Sequence, residues 1–148
     1  SISWWRQVQA ICAPLETLSE SWFEAELKTL RREQIFLDGS DLSPRLVSVV
    51  DSLAGYDVLS YRENGVDGWR EHYIEVKSTQ SHNDARFYLS RNEWDFALNN
   101  FYSWQLDYYV ADQPCVTMNA SEVQAFIPTD TRLSHWNEAV VRLRDSAS

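Results

Sequence analysis

The sequence predicts an α/β fold, in the form of an α+β sandwich whose mixed central β-sheet is flanked by helices. Three observations predict it: a helical first segment, a group of strand-like runs in the middle of the chain, and a further helix and strand after them. An order of helix, three strands, helix and strand is typical of a mixed sheet with helices packed against its faces.

The first 33 residues are helical in character, with Pro14 as the expected break between two helices. After the break, apolar residues recur near the 3.6-residue period of a helix, which gives the helix one apolar face. These residues are Leu18, Trp22, Phe23, Leu27 and Leu30. Asp, Gly, Ser and Pro cluster in residues 38–44, which predicts that a loop follows.

Three strands are predicted next, at residues 46–50, 55–61 and 69–78. The stretch RENGVDG, between the second and the third strand, contains the turn signals Asn-Gly and Asp-Gly. The second and third strands are therefore expected to form a hairpin. The run RFYLS at residues 86–90 is interpreted as either a short strand or a loop.

The remaining elements begin with a helix that starts after Ser90, because Glu93 three positions later completes a capping box. An aromatic-rich strand is predicted at residues 104–112. The tail is expected to add a short strand around AFIP, at residues 125–128, and a final helix at residues 133–144.

Composition and charge limit the classes of function. With 148 residues, of which 44% are hydrophobic and 14% aromatic, the chain is long and apolar enough for a packed globular domain. Its net charge of −9 disfavours a domain that clamps nucleic-acid backbone broadly, because that task needs a basic surface. The charge is compatible with an enzyme that gathers acidic metal ligands and receives its nucleic acid from a neighbouring domain.

Cysteine usage and hydropathy indicate the compartment. Cys12 and Cys115 form neither a disulfide framework nor a zinc-ligand pattern, and no run of 18 apolar residues is present. We therefore expect a cytoplasmic protein without a membrane partner. Because the chain begins with Ser1, we expect residues 1–148 to be one domain cut from a larger multidomain protein, with residues 1–20 as a helical extension.

Charged residues lie where strands of a small domain are normally apolar. Asp57 lies between Tyr56 and Val58, and Glu75 and Lys77 flank Val76. The predicted hairpin brings the two strands side by side, and two carboxylates with a lysine can form a Mg²⁺ or Mn²⁺ site. The lysine can orient a water molecule or stabilise phosphate charge. The alternative is an exposed, weakly paired row of surface charges.

The pattern of one Asp followed by Glu-x-Lys on two antiparallel strands resembles the PD-(D/E)xK nuclease superfamily. The longer series GYDVLSY, YIEVKST, RFYLSRNEWDFA and LDYYVAD resembles the NO VEIN carboxy-terminal domain family, a nuclease-like domain of large bacterial and plant proteins. This resemblance extends from about residue 23 to residue 112. It implies a restriction-endonuclease-like core.

The resemblance also implies roles for individual residues. Asp57 and Glu75 are expected to be metal ligands, together with the backbone carbonyl of Val76. Lys77 is expected to position the attacking water. Glu26 is expected to be the carboxylate that the first helix directs towards the site.

Several of these assignments have alternatives. Glu24 is the second candidate for the helix carboxylate, since Glu24 and Glu26 cannot both face the site. Ser78 and Thr79 are expected to contact substrate, although they could simply end the strand. Near the motifs, the cationic candidates for phosphate contacts are Arg70, Arg86 and Arg91, of which Arg91 is the expected substrate-binding residue.

The function that the resemblance implies is Mg²⁺-dependent hydrolysis of DNA phosphodiester bonds by an endonuclease domain of a restriction or anti-phage protein. The expected partners are DNA and a translocase, helicase or modified-base reader in the parent protein. A second copy of the chain is a further candidate partner. One alternative is a catalytically silent module that binds a partner through an aromatic surface made of Trp4, Trp5, Trp69, Trp104 and Trp136. Another is a phosphoesterase that acts on RNA or a nucleotide.

Overall fold

The computed structural model describes residues 23–48, 50–51, 53–66, 68–81, 85–111, 113–130 and 135–142. The predicted extension at residues 1–20 lies outside these residues, as do Trp4 and Trp5. The chain divides into two compact units, Ser1–Val76 and Lys77–Ser148.

The first unit contains helix α1 (Glu24–Phe36) and strands β1 (Arg45–Leu46), β2 (Val58–Glu63) and β3 (Trp69–Thr79), of which β3 ends in the second unit. The strands β1, β2 and β3 are antiparallel neighbours, and the β2–β3 ladder runs from Val58 opposite Ile74 to Glu63 opposite Trp69. The predicted hairpin is therefore confirmed. The core of this unit contains Leu30, Leu46, Val58 and Ile74.

Two predicted strand boundaries in this unit are wrong. The strand predicted at residues 46–50 ends at Leu46, because the N–H groups of Val50 and Asp51 bond back to the carbonyl of Val47 and form a turn. The strand predicted at residues 55–61 begins only at Val58 and continues to Glu63. Gly55, with a φ of +88°, turns the chain before β2, in the left-handed region that favours glycine.

The second unit begins with strand β4 (Arg86–Ser90) and helix α2 (Arg91–Asn99), followed by a 3₁₀ turn at Phe101–Ser103. Strands β5 (Trp104–Val110) and β6 (Val116–Asn119) come next and are antiparallel to each other. Helix α3 (Ala120–Gln124) and strand β7 (Glu138–Arg142) complete the unit. Its buried side chains include Leu89, Trp94, Trp104, Leu106, Tyr108, Val123 and Val141.

The strands form one sheet of five, in the order β1-β2-β3-β5-β6, and one sheet of two, β4 and β7. The mixed sheet with flanking helices confirms the predicted fold class. Among the described residues, no helix has the length and apolar character needed to span a membrane.

The predicted final helix at residues 133–144 is wrong, because residues 138–142 form β7. Burial alternates along β7, with Ala139 and Val141 buried and Val140 exposed, which is the period of a strand. The strand predicted at residues 125–128 is also absent. There the N–H groups of Phe126 and Ile127 bond to carbonyls of α3 residues and prolong its turn.

Candidate functional site

Asp57 is held in place by hydrogen bonds from both its backbone and its side chain. Its carbonyl accepts from the Val47 N–H at 2.7 Å, and its own N–H donates to the Ile74 carbonyl at 3.0 Å. Its carboxylate Oδ2 accepts from the Val76 N–H at 2.7 Å. The bend after Gly55 thus fixes this carboxylate against the middle of β3.

Glu75 is the neighbour of Asp57 on β3. Val58 pairs with Ile74 in the ladder, so the residue before Val58 comes alongside the residue after Ile74. Glu75 is only 2% exposed, and the residues on either side of it are buried as well. A carboxylate removed from water in this way is costly unless other groups compensate it, which contradicts the alternative of an exposed row of surface charges at this position.

Helix α1 runs beside β2 in the same direction. Its last residue, Phe36, lies under the Arg62 guanidinium at 4.8 Å, and Glu33 one turn earlier receives a hydrogen bond from Ser60. Glu26 lies seven residues before Glu33 on the helix, which is about 10 Å. Asp57 lies three residues before Ser60, which is also about 10 Å along an extended chain. Glu26 and Asp57 therefore come at corresponding positions along the helix and the strand.

Of the two candidate helix carboxylates, Glu26 is therefore the one that lies on the β2 side of α1. It shares a helical face with Leu30 and Glu33, which are both buried. Glu24 is exposed and pairs with Lys28 at 3.7 Å. This placement supports the choice of Glu26, and its role in catalysis stays a prediction.

Glu33 is a buried carboxylate that the sequence interpretation missed. It is 1% exposed and accepts hydrogen bonds from the Ser60 hydroxyl at 2.6 Å and from the guanidinium groups of Arg62 and Arg32. Burial alone would raise the pKa of Glu33, but the bonds from Arg62, Ser60 and Arg32 outweigh it and lower the pKa. The sequence did contain a signal for this. Glu33 follows Leu30 by three residues, so it lies on the apolar face of the predicted helix although it is charged.

Two tyrosines lie close in sequence to the candidate ligands: Tyr56 directly precedes Asp57, and Tyr73 comes two residues before Glu75. The rings of Tyr56 and Tyr73 meet edge to face with centroids 4.9 Å apart. Burial, together with a 2.8 Å hydrogen bond from the Tyr73 hydroxyl to Glu71, raises the pKa of Tyr73 to about 12. Burial also raises the pKa of Tyr56. Both phenols are therefore neutral hydrogen-bond donors at ordinary pH.

Lys77 forms an ion pair with Glu93 in the second unit. Its Nζ lies 3.0 Å from each carboxylate oxygen of Glu93, and both side chains are about one-fifth exposed. Glu93 also accepts from the Ser90 N–H at 2.8 Å, so the predicted capping box is confirmed. Glu93 has a second contact that the capping signal did not predict, because its partner is distant in the sequence.

Ser78 and Thr79 lie at the end of β3 beside a cleft of about 490 Å³. Lys77, Ser81, Arg86 and the first residues of β4 line the same cleft. The cleft contains hydroxyl groups and cationic side chains, which are groups that hydrogen-bond phosphate oxygens. The predicted substrate contacts of Ser78 and Thr79 stay predictions.

Comparison with known families identifies the chain. Residues 22–114 match the family described as "Protein NO VEIN, C-terminal", which is more than half of the chain. The chain belongs to the NO VEIN C-terminal family. All the predicted site residues, from Glu26 to Arg91, lie inside the matched segment, whereas β7 of this NO VEIN C-terminal chain lies beyond it.

Among solved structures, the chain is similar to Hjc of Archaeoglobus fulgidus, a Holliday junction resolvase from an archaeal hyperthermophile. The identity is 17%, the alignment covers 84% of each chain, and the TM-score is 0.48. A search of curated protein sequences finds no match.

Arg91 of this NO VEIN C-terminal domain is engaged by carboxylates. Its guanidinium forms a two-pronged pair with Asp130, bonds to Asp95 at 3.1 Å, and lies 4.7 Å from the ring centre of Trp136. The hydrogen bonds between Arg91 and Asp130 hold the pKa of Asp130 well below its usual range and raise the pKa of Arg91. A substrate phosphate would have to compete with Asp130 for this guanidinium, so substrate binding by Arg91 stays a prediction.

One residue of the aromatic surface expected for a binding module, Trp104, is buried, so its inclusion in that surface was wrong. Trp104 is 2% exposed, because β5 is an inner strand and the indole packs edge to face on Trp94 at 6.1 Å. Trp69 is 38% exposed and contacts Phe36.

The ligands available for a divalent cation are few. Within the described part of the chain, no three His, Cys, Asp or Glu side chains converge in a group that could hold a metal ion. Asp57 and Glu75 still offer two adjacent carboxylates, and Val76 offers a carbonyl. Because Mg²⁺ keeps several waters and takes only one or two protein carboxylates beside substrate phosphates, this donor set fits the ion.

Proposed function

We propose that this chain is a metal-dependent nuclease domain that hydrolyses DNA phosphodiester bonds, as the effector of a multidomain restriction or anti-phage protein. The observation that carries the proposal is the 2.7 Å hydrogen bond from the Val76 N–H to the Asp57 carboxylate. It holds one carboxylate beside Glu75 and next to the residue that precedes Lys77. A carboxylate buried in the middle of a strand is costly for the fold, and a metal-dependent hydrolase uses such a group as a ligand.

In this proposal, Asp57, Glu75 and the Val76 carbonyl hold Mg²⁺, and Glu26 completes the acidic surroundings from α1. A divalent cation in such a site neutralises phosphate charge and lowers the pKa of water. Lys77 donates hydrogen bonds to the attacking water or to a phosphate oxygen, and Glu93 keeps its ammonium group in position. The carboxylates orient the reactants, and the surrounding buried residues exclude bulk water.

The test uses Asp57→Asn and Lys77→Ala in the purified chain, with cleavage of labelled DNA in Mg²⁺ or Mn²⁺ as the readout. Asparagine retains an oxygen that can accept the Val76 N–H but removes the negative charge. We expect each change to lower the cleavage rate by a factor of about 100 or more, since Asp57 is proposed to hold the metal ion and Lys77 to contact the attacking water or a phosphate oxygen.

The matched control is Asp51→Asn. The Asp51 side chain also accepts a backbone N–H, from Leu53 at 3.0 Å, but it lies exposed in a turn. We expect this variant to retain cleavage. Cleavage that survives in both Asp57→Asn and Lys77→Ala would refute the proposal, and RNA and small phosphodiesters assayed in parallel would reveal a phosphoesterase of another class.

A further inference from the structure

Strands β4 and β7 form a two-stranded ribbon with one buried and one open face. Phe87 and Leu89 of β4, and Ala139 and Val141 of β7, are buried. The alternate residues of both strands make up the other face, which we call the ribbon face. Its members are the pairs Arg86 and Arg142, Tyr88 and Val140, and Ser90 and Glu138, so the face is cationic at one end and carries one carboxylate at the other.

The ribbon face places an arginine pair beside an apolar pair. Arg86 is directly opposite Arg142 in the ladder, and Tyr88 is directly opposite Val140. Like charges opposite each other on neighbouring strands repel, and an anion bound between the two arginines would reduce that repulsion. In a chain of net charge −9, two facing arginines are an unexpected concentration of positive charge.

Both members of the apolar pair are exposed to solvent. Tyr88 is 46% exposed and Val140 is 41% exposed. The Arg86 guanidinium lies 5.9 Å from the centre of the Tyr88 ring, which supports one side of it. An exposed aromatic ring next to cationic side chains is the usual arrangement of a surface on which unpaired bases stack.

The backbone beneath the ribbon face is held firmly. The buried Tyr108 hydroxyl donates to the Arg86 carbonyl at 2.8 Å, and the Tyr108 ring packs against Phe87 with centroids 4.9 Å apart. Side chains on such a backbone keep their spacing when a ligand binds. The arginine pair and the apolar pair are two residues apart along the strand, or about 7 Å. One nucleotide spans that distance from its phosphate to its base.

The ribbon face is continuous with the cleft at the end of β3. Arg86 and Tyr88 line that cleft together with Lys77, Ser78, Thr79 and Ser81. A strand lying on the ribbon face would therefore place its next phosphates among hydroxyl and ammonium groups.

We propose that the ribbon face binds single-stranded DNA, with Arg86 and Arg142 on a phosphate and Tyr88 stacked on the adjacent base. The inference rests on the proposed nuclease function, since it describes how a substrate strand would be held beside Lys77. Duplex DNA fits less well, because its bases are stacked on one another and do not offer a free face to Tyr88.

The test measures binding of the 148-residue chain to a fluorescein-labelled single-stranded oligonucleotide, and to the duplex of the same sequence, by anisotropy in EDTA. We expect Arg86→Gln and Arg142→Gln to weaken single-strand binding, each reducing the slope of log K against log salt by about 0.7. We expect Tyr88→Ala to weaken it about tenfold, with the salt slope unchanged.

The matched controls are Arg31→Gln, an exposed arginine on α1, and Tyr102→Ala, a tyrosine that is 84% exposed after α2. We expect both to bind like the unmodified chain. Circular dichroism of each variant checks that the fold is retained.

The outcomes separate this inference from the nuclease proposal. If the unmodified chain cleaves DNA but the three ribbon variants bind the single strand as it does, the ribbon face is refuted and the nuclease stands. If the three variants lose single-strand binding but the unmodified chain cleaves no nucleic acid, the ribbon face stands and the nuclease fails. Equal losses for single strand and duplex would refute the single-strand assignment, as would a failure of the unmodified chain to bind the single strand.

Discussion

At the scale of single residues, the half-buried Asp57 and the buried Glu33 of the first unit have different hydrogen-bond partners and different effects. Asp57 bonds to the backbone of β3, whereas Glu33 bonds to Ser60 and to two arginines. Asp57 and Glu75 are adjacent and are the proposed metal ligands, whereas the negative charge of Glu33 is compensated by the arginines beside it. Glu33 is therefore a residue of the fold rather than of the proposed reaction.

This role predicts a loss of stability in Glu33→Gln. Removing the charge leaves Arg62 partly buried beside a neutral amide, which we expect to lower the free energy of unfolding by about 3 kcal/mol. Urea denaturation measures it. The control Glu24→Gln removes an exposed pair and is expected to cost less than about 0.5 kcal/mol. Equal effects of the two changes would contradict the role given to Glu33.

The same residue predicts a pH dependence. The pKa of Glu33 is lower in the folded chain than its ordinary value of 4.5, so the ionised carboxylate stabilises the folded state above that value. This contribution is lost as the pH falls below 4.5 towards the lowered pKa. The difference in stability between the unmodified chain and Glu33→Gln should therefore shrink on acidification. A difference that grows would contradict the lowered pKa.

At the scale of elements, α2 and α3 both begin with a capping box. Ser90 and Glu93 form a capping box at α2, and Asn119 and Glu122 form one at α3. The second box was visible in the sequence as Asn-Ala-Ser-Glu but was not predicted. Only the first has a glutamate that also binds a lysine from another element, so α2 is joined to the end of β3 through Glu93.

This difference predicts that two matched substitutions lower the free energy of unfolding by unequal amounts. Glu122→Ala removes a capping side chain alone, and we expect it to cost about 0.5 to 1 kcal/mol. Glu93→Ala removes the cap and the Lys77 contact, so we expect it to cost about 1 kcal/mol more, because the pair is half-buried. Chemical denaturation measures both.

A double-mutant cycle of Lys77→Ala and Glu93→Ala isolates the ion pair. We expect a coupling free energy of about 1 kcal/mol. A coupling free energy near zero would show that Glu93 does not hold the Lys77 ammonium group in solution. That result would refute the positioning role of Glu93.

At the scale of the whole molecule, the net charge of −9 sets the behaviour of the chain towards cations and nucleic acids. The negative charge attracts divalent cations and repels DNA, so DNA binding needs a local positive surface such as the ribbon face, or delivery by another domain.

Metal binding should stabilise the folded chain. A cation that binds only the folded state at a hundred times its dissociation constant adds about 2.7 kcal/mol, which corresponds to a rise in Tm of about 5 to 10 °C for a chain of this size. We expect Mn²⁺ or Mg²⁺ to produce such a rise in the unmodified chain and not in Asp57→Asn, as measured by calorimetry. Asp51→Asn is the control and should retain the rise. An equal rise in Asp57→Asn would exclude Asp57 as a ligand.

Local signals in the sequence were sufficient for a large part of the fold and for the family. The hairpin, the α2 capping box and the strand at Trp104–Val110 depend on turn residues, short-range hydrogen bonds and periodicity. The motif strings around Asp57 and Glu75 led to the NO VEIN C-terminal family, which the comparison of residues 22–114 confirms. The same signals failed at β7, because Leu133, Trp136, Val140 and Leu143 recur in the sequence at the spacing of a helix, whereas in the structure Val140 lies exposed between two buried neighbours.

The sequence by itself thus determined the fold class, the family and the charged residues at the middle of the sheet. Only the tertiary structure decided which carboxylates are buried, that Glu33 binds Arg62, that Glu93 binds Lys77, and that β4 pairs with β7 to form the ribbon face. The physical reason is that burial and charge pairing depend on segments far apart in the chain, whereas turns, caps and periodicity depend on near neighbours.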